Sequence, residues 1–250
     1  MNMVLKAVRD YFGEFGLLLK LPREFWATQA LNMLFMLMYF AFATISTIHS
    51  SSDAGFSDQA AGILLGIFMT GNAIVMIFMG PVVDKLGYRK TPLIAGVIIT
   101  VGMLGVGAAP HFFGATTTAK VLLVISYLIA TVGVGMMTPV IMAGVKRFSN
   151  KETQGAAFNF WYLSMNVGAI LVVTIDFLRR PLENDPTAAQ VMVYRDAGGN
   201  FPLILYFAAL AALCWIIVFL FMKQTDQFPD FEQSGEEEAP PEKKSFVQLV

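Results

Sequence analysis

Six long apolar stretches divide the chain, at about 25–48, 58–80, 91–110, 119–145, 154–178 and 201–222, and the charged residues collect between them. Each is near the roughly 20 residues a helix needs to cross a hydrocarbon core about 30 Å thick. In lipid the backbone must satisfy its own polar groups, which leaves helices or a closed barrel. Barrel strands would alternate apolar and polar residues over about ten positions, and these stretches do not. The pattern predicts an all-α membrane protein with six transmembrane helices over residues 25–222.

The intervals differ in kind. Between the first two stretches, S-S-S-D-A-G-F-S-D-Q offers Ser57 or Asp58 as an N-cap for the second helix. Pro110 to Thr118 is short, whereas Arg179 to Asn200, punctuated by Pro181, Pro186, Gly198 and Gly199, is long for a connection and reads as a structured external cap or, more plainly, a mobile loop. Residues 1–24 mix charged and apolar positions at helical spacing without an unbroken apolar core. That predicts an amphipathic segment on the cytoplasmic face rather than a cleaved signal. Residues 223–244 are acidic and Pro-rich, the composition of a disordered cytoplasmic linker. The apolar pattern restarts at 245–250, S-F-V-Q-L-V, which is expected to open a second half missing from this chain.

Composition sharpens the membrane reading. The chain is 56% apolar and 14% charged with a net charge of −1, where soluble domains carry about 25% charged residues. No basic field exists to attract nucleic acid. Thirteen of the 17 Lys and Arg lie in the N-terminal segment, the intervals around Lys85 and Lys146, and the tail. The other side holds Lys120, Arg179, Arg180 and Arg195. Positive charge marks the cytoplasmic side, so both ends are expected in the cytoplasm of a multi-pass protein of the plasma (inner) membrane. Cys214 is alone within an apolar stretch, and His49 and His111 stand at helix edges far apart in sequence. Neither supports a metal site, and no cofactor is expected.

The interval G-P-V-V-D-K-L-G-Y-R-K, Gly80 to Lys90, carries the most specific signal. Asp84 ends the second apolar stretch, where a helix dipole favours cations instead, and Gly87 suits a tight turn. Gly80, Asp84, Lys85, Gly87, Arg89 and Lys90 match G-x-L-x-D-[RK]-x-G-[RK]-[RK], with Val82 in place of Leu and Tyr88 ahead of the basic pair. In this the chain resembles the major facilitator superfamily. The resemblance implies the N-terminal half of a twelve-helix transporter, built as two inverted three-helix repeats around a midplane site. It also implies a cytoplasmic gate in which Asp84 bonds a helix terminus of the second half. That partner would be a continuation of this chain or, failing that, another chain. A narrower resemblance, to proton-coupled oligopeptide transporters and their bacterial relatives, rests on L-P-R-E-F-W, on G-V-G-M-M-T-P-V-I-M-A-G-V-K-R-F and on F-N-F-W-Y-L-S-M-N-V-G-A. That family's E-x-x-E-R charges fall here on Asn32, Phe35 and Met36, so all three are replaced.

Ionisable residues inside membranes are costly and suggest function. Asp176, with Arg179 and Arg180 one helical turn on, is a possible proton or ion-pair site, and an end-of-helix ion pair is the plainer reading. Candidates for a substrate cavity are the polar uncharged residues Gln29, Asn32, Tyr39 and Thr44, with Tyr127, Thr138, Trp161 and Asn166. Asn32, Tyr39 and Ser46 recur every seven residues, close to one helix face, although each could equally serve an interhelical hydrogen bond. Gly102, Gly105, Gly133, Gly135 and Gly144 allow close helix approach, and Thr138-Pro139 predicts a kink. The family resemblance implies a secondary transporter, facilitative or proton-coupled, and the uncharged polar candidates suit a small, neutral or weakly polar solute. The alternative is a non-transporting sensor or assembly protein on the same scaffold. An enzyme is not expected, because no nucleophile–base pair or phosphate-cradling loop stands out.

Overall fold

The computed structural model describes residues 16–179 and 201–222, without the side chains of Asp84, residues 174–179 and residues 201–203. The amphipathic segment expected before residue 16, the connection 180–200, the linker 223–244 and the residues 245–250 lie outside the described residues.

Among the described residues six long helices follow one another: α1 (Arg23–Ser52), α2 (Asp58–Leu86), α3 (Lys90–Phe113), α4 (Thr117–Arg147), α5 (Gln154–Arg179) and α6 (Phe201–Phe221). Among the described residues, each of these six is long and apolar enough to span a membrane. Most run past the apolar stretch that predicts them, because side-chain caps and turns rather than the loss of hydrophobicity set their ends. Ser57 Oγ accepts from the Ala60 N–H at 3.2 Å and starts α2, which settles the choice between Ser57 and Asp58. Thr116 Oγ1 does the same for α4 through Ala119 at 3.3 Å. Ahead of α5, Asn150 Oδ1 accepts from the Thr153 N–H at 2.8 Å while Thr153 Oγ1 accepts from the Asn150 N–H at 3.1 Å.

The helices pack in a pattern with an internal exchange. The most extensive contact joins α3 to α4, α6 packs against α3 and α1, α1 lies on α5, and α4 lies on α2. Replacing α1, α2 and α3 by α4, α5 and α6 carries these main contacts onto one another. Three crossings per repeat make the second repeat enter from the opposite side, so the repeats are inverted. Small residues make the closest approaches possible. A Cβ on Gly102 would fall 2.6 Å from the backbone nitrogen of Ala130, and one on Gly133 2.8 Å from that of Ile99. Between helices in lipid, packing of this kind replaces the hydrophobic drive that water supplies elsewhere.

Burial is uneven in a way that respects the exchange. The apolar spans of α1 and α4 are each 56% buried, against 17% for α2 and 28% for α5. Ile67, Ile74, Ile77 and Phe78 on α2, and Tyr162, Leu163 and Ile170 on α5, face outward. The pair that the exchange relates is the pair left open.

The interval expected to be a loop from Gly80 to Lys90 is mostly helix. α2 continues through Pro81 to Leu86, α3 begins at Lys90, and Gly87, Tyr88 and Arg89 alone form the turn. Pro81 gives up a bond to Ile77 but sits at an exposed position. The connection expected from Pro110 shrinks likewise, with α3 running through Pro110 to Phe113. α4 also remains one helix across Pro139.

Candidate functional site

Gly87 closes α2. Its φ of +84° suits a residue without a Cβ, and its N–H bonds the Val83 carbonyl at 2.9 Å. The turn then drives Tyr88 inward. Its ring is buried, edge-on to Phe148 at 5.3 Å, and its hydroxyl lies 3.1 Å from Thr28 Oγ1 on α1. Gly144 on α4 makes the room, since a Cβ there would collide with the Tyr88 hydroxyl. Arg89 turns the other way. It donates to the Phe219 carbonyl at 3.0 Å, near the last turn of α6, and its guanidinium lies 5.4 Å from the Phe219 ring centre. A cation at that position complements the negative end of the helix dipole.

The other members of the matched signature sit around this turn. Lys85 ends α2 exposed, Lys90 opens α3 exposed, and Gly80 has open space where a Cβ would be. The Asp84 side chain lies outside the described residues, as do those of Asp176 and Arg179 and the whole of Arg180. Tyr88, the residue that merely precedes the basic pair in sequence, is the one that fastens the turn to α1 and α4.

A cavity of about 300 Å³ opens between four helices. Phe35, Met36, Tyr39 and Phe40 line it from α1, and Met69, Asn72, Ala73 and Met76 from α2. Thr138 of α4 and Met165 of α5 complete it. Aromatic and thioether surface predominates, and none of these side chains is charged. Asn72 is buried with its Oδ1 unpartnered by protein, and the Tyr39 hydroxyl lies 2.8 Å from Met69 Sδ and within reach of Asn72. The Asn72 oxygen is itself shut away from solvent, so its missing donor is a cost carried within the wall.

The remaining predicted cavity residues separate into groups. Gln29 and Asn32 face α5 rather than this cavity. Asn32 Nδ2 donates to Ser164 Oγ at 2.7 Å and to the Trp161 carbonyl at 3.0 Å, and Ser164 Oγ lies 3.2 Å from Gln29 Oε1. Gln29 Nε2, Asn32 Oδ1 and Trp161 Nε1 stay unpartnered within this buried cluster. Tyr127 binds the far end of α1, donating to the Ser46 carbonyl at 3.1 Å with Ser50 Oγ at 3.2 Å. Its ring packs with Phe42 and Phe68. Thr44 and Asn166 spend their side chains on their own helices, on the Phe40 and Tyr162 carbonyls. Of the eight candidates, Tyr39 and Thr138 reach the cavity. Asn32, Tyr39 and Ser46 do share a face, but at three depths they meet α5, α2 and α4 in turn.

Sequence reasoning passed over Ser164 and understated His49. The two histidines lie toward the same end of the bundle, since α1 and α3 both run from the basic end to the opposite one. His49 is 1% exposed, its Nε2 lies 3.0 Å from the Val106 carbonyl of α3, and its Nδ1 lies 2.6 Å from Asp53 Oδ2. The signal was there to read: histidine and aspartate four apart share one helix face.

The family model described as Major Facilitator Superfamily matches residues 29–249. No curated protein matches the chain.

Proposed function

The chain belongs to the Major Facilitator Superfamily, and from that membership we propose that it carries a small, neutral or weakly polar solute by alternating access. The family is one of secondary transporters, so a membrane-spanning carrier rather than a catalyst is the premise. The cavity between α1, α2, α4 and α5 carries the proposal: its wall is aromatic and methionine-rich, with Tyr39, Asn72 and Thr138 as its polar groups. Such a lining suits a ligand of modest polarity. Methionine adapts its shape to the ligand at little cost.

Opposite this cavity we place a second six-helix half, seated across the outward faces of α2 and α5. Those two helices are the least buried and are related by the internal exchange. The turn Gly87–Arg89 then belongs to the gate at the basic end, which we assign to the cytoplasm. The carrier is facilitative or coupled to protons, and the presence or absence of uptake driven by an imposed pH gradient separates the two.

Counterflow into proteoliposomes, with a panel of labelled small solutes, tests the proposal. One or more neutral solutes should exchange, and Ala73→Phe, which fills the cavity, should abolish that exchange while the helical circular dichroism is kept. Exchange undiminished in Ala73→Phe would move the transport path elsewhere.

A further inference from the structure

We propose that the Tyr39 hydroxyl sets the specificity of the cavity, by releasing Met69 and donating to an acceptor oxygen of the solute, so that the site selects apolar molecules carrying a neutral carbonyl or ether. This rests on the reading of the cavity between α1, α2, α4 and α5 as the solute site. The inference begins with who donates. A thioether sulfur has no hydrogen, so in the contact of 2.8 Å between Tyr39 Oη and Met69 Sδ the phenol is the donor. A phenol has a single hydrogen, and here it is spent on a weak acceptor. Exchanging sulfur for a solute oxygen is a net gain, because it leaves no strong acceptor unpaired.

Other hydroxyls of the bundle lack that option. Thr44 and Thr131 donate at 2.8 Å to carbonyl oxygens of their own helices, so an exchange would trade oxygen for oxygen. In the cavity wall itself, Thr138 donates to the Val134 carbonyl at 3.4 Å, again an oxygen, and the Asn72 oxygen is shut away. The rest of the lining is aromatic, thioether or methyl. Tyr39 and Met69 both line the cavity and neither is fully buried, so the bond between them spans one part of its wall. The Tyr39 ring is stacked with Phe35 and with Phe68, each at 6.2 Å, and stands edge-on to Phe40 at 5.4 Å. Its oxygen is thereby held in place while the hydrogen swings about the C–O bond, and the flexible Met69 side chain withdraws at little cost. The wall has no cation to meet an anion, and an unpaired charge there would be expensive. The acceptor is therefore an uncharged oxygen.

Acetophenone and ethylbenzene test this, since they differ only by a carbonyl in place of a methylene. The full chain, labelled with 13C at the methionine ε-methyls and held in lipid nanodiscs, reports both through Met36, Met69, Met76 and Met165. Each probe is compared with itself between wild type and variant, so its partition into lipid cancels. In Tyr39→Phe the apparent Kd of acetophenone should rise roughly 2- to 10-fold, the size of a neutral hydrogen bond, while that of ethylbenzene does not rise. Met69→Leu, a swap of similar volume, removes the competing acceptor and should shift the preference toward acetophenone. Equal changes for the two probes in Tyr39→Phe overturn the proposal, and so does a shift toward ethylbenzene in Met69→Leu. Either variant is decisive if the other does not fold. Methionine signals that respond to neither probe in the wild type would overturn the cavity reading itself.

Discussion

Gly144→Ala should destabilise the bundle when Tyr88 is present and stabilise it when Tyr88 is absent. In a helix interior, alanine is better than glycine by about 1 kcal/mol, so the substitution taken alone is favourable. Here the new Cβ would run into the Tyr88 hydroxyl and lie 2.9 Å from Cε2. The ring cannot step aside, because it is buried against Phe148 and held by Thr28. Overpacking at such a site costs about 1–3 kcal/mol, which offsets the helix gain and leaves a net loss of up to about 2 kcal/mol. Tyr88→Ala is damaging in itself, at about 3–5 kcal/mol for a deleted buried aromatic, but it empties the space that Gly144 serves. In that background Gly144→Ala should recover up to about 1 kcal/mol. The coupling between the two positions is then about 1–3 kcal/mol, within what contacting residues show. Reversible unfolding in mixed detergent micelles, followed by circular dichroism across the four proteins, measures it. Equal effects of Gly144→Ala in the two backgrounds would show that Tyr88 does not occupy the Gly144 notch.

Three further outcomes are expected around the same turn. Burial holds the Tyr88 hydroxyl above its ordinary value, more strongly than the Thr28 hydrogen bond and the Arg147 charge draw it down. The unfolded chain gives up that proton near pH 10 and the folded one only above it. The folded state thus binds more protons in that window, and stability should fall as pH rises past about 10. Tyr88→Phe should flatten that alkaline limb in a melting-temperature series, and an unchanged limb would assign it to another group. Arg89→Ala should loosen the end of α6, seen as faster amide exchange near Phe219, at a cost of about 1–2 kcal/mol for a charge-assisted bond and a cation–π contact. Arg89→Lys should restore only part of this, since an ammonium lacks the planar fork, and full rescue would reduce the contact to simple charge. Gly87→Ala should lower the melting temperature because its φ is positive, whereas Gly80→Ala, inside α2 and facing open space, should stabilise the isolated bundle by up to about 1 kcal/mol. A loss at Gly80 measured in the bundle alone would contradict that placement.

The helices were legible because lipid imposes a length and a composition that few other settings produce. Their ends were less so. Gly80 and Pro81 look like the start of a loop, yet a helix beyond the hydrocarbon continues wherever nothing competes for its backbone, and here Gly87 ends it. The matched signature located the turn but not its anchor, because the bond between Thr28 and Tyr88 joins residues 60 apart and leaves no local pattern. The sevenfold spacing of Asn32, Tyr39 and Ser46 put the three close to one helix face. It could not show that the face crosses three neighbours, since that depends on how α2, α4 and α5 are arranged around α1. Among the candidate cavity residues, hydroxyls and amides that satisfy their own helix, as Thr44 and Asn166 do, are indistinguishable in sequence from those that face a ligand. Asn72, which lines the cavity, was visible only as another polar residue of the second helix.

Thr28 and His49, one near each end of α1, carry the two long-range side-chain fasteners to the segment that contains Tyr88 and α3. At 1.5 Å per residue they are about 31 Å apart, close to the thickness of the hydrocarbon core. α1 is therefore a strut pinned at both water boundaries, with the cavity residues Phe35 to Phe40 hanging on the unpinned span between. A strut held in this way resists sliding lengthwise, because both pins must yield together. It can still roll slightly about its own axis, turning Tyr39 toward or away from Asn72 while its two ends stay in register.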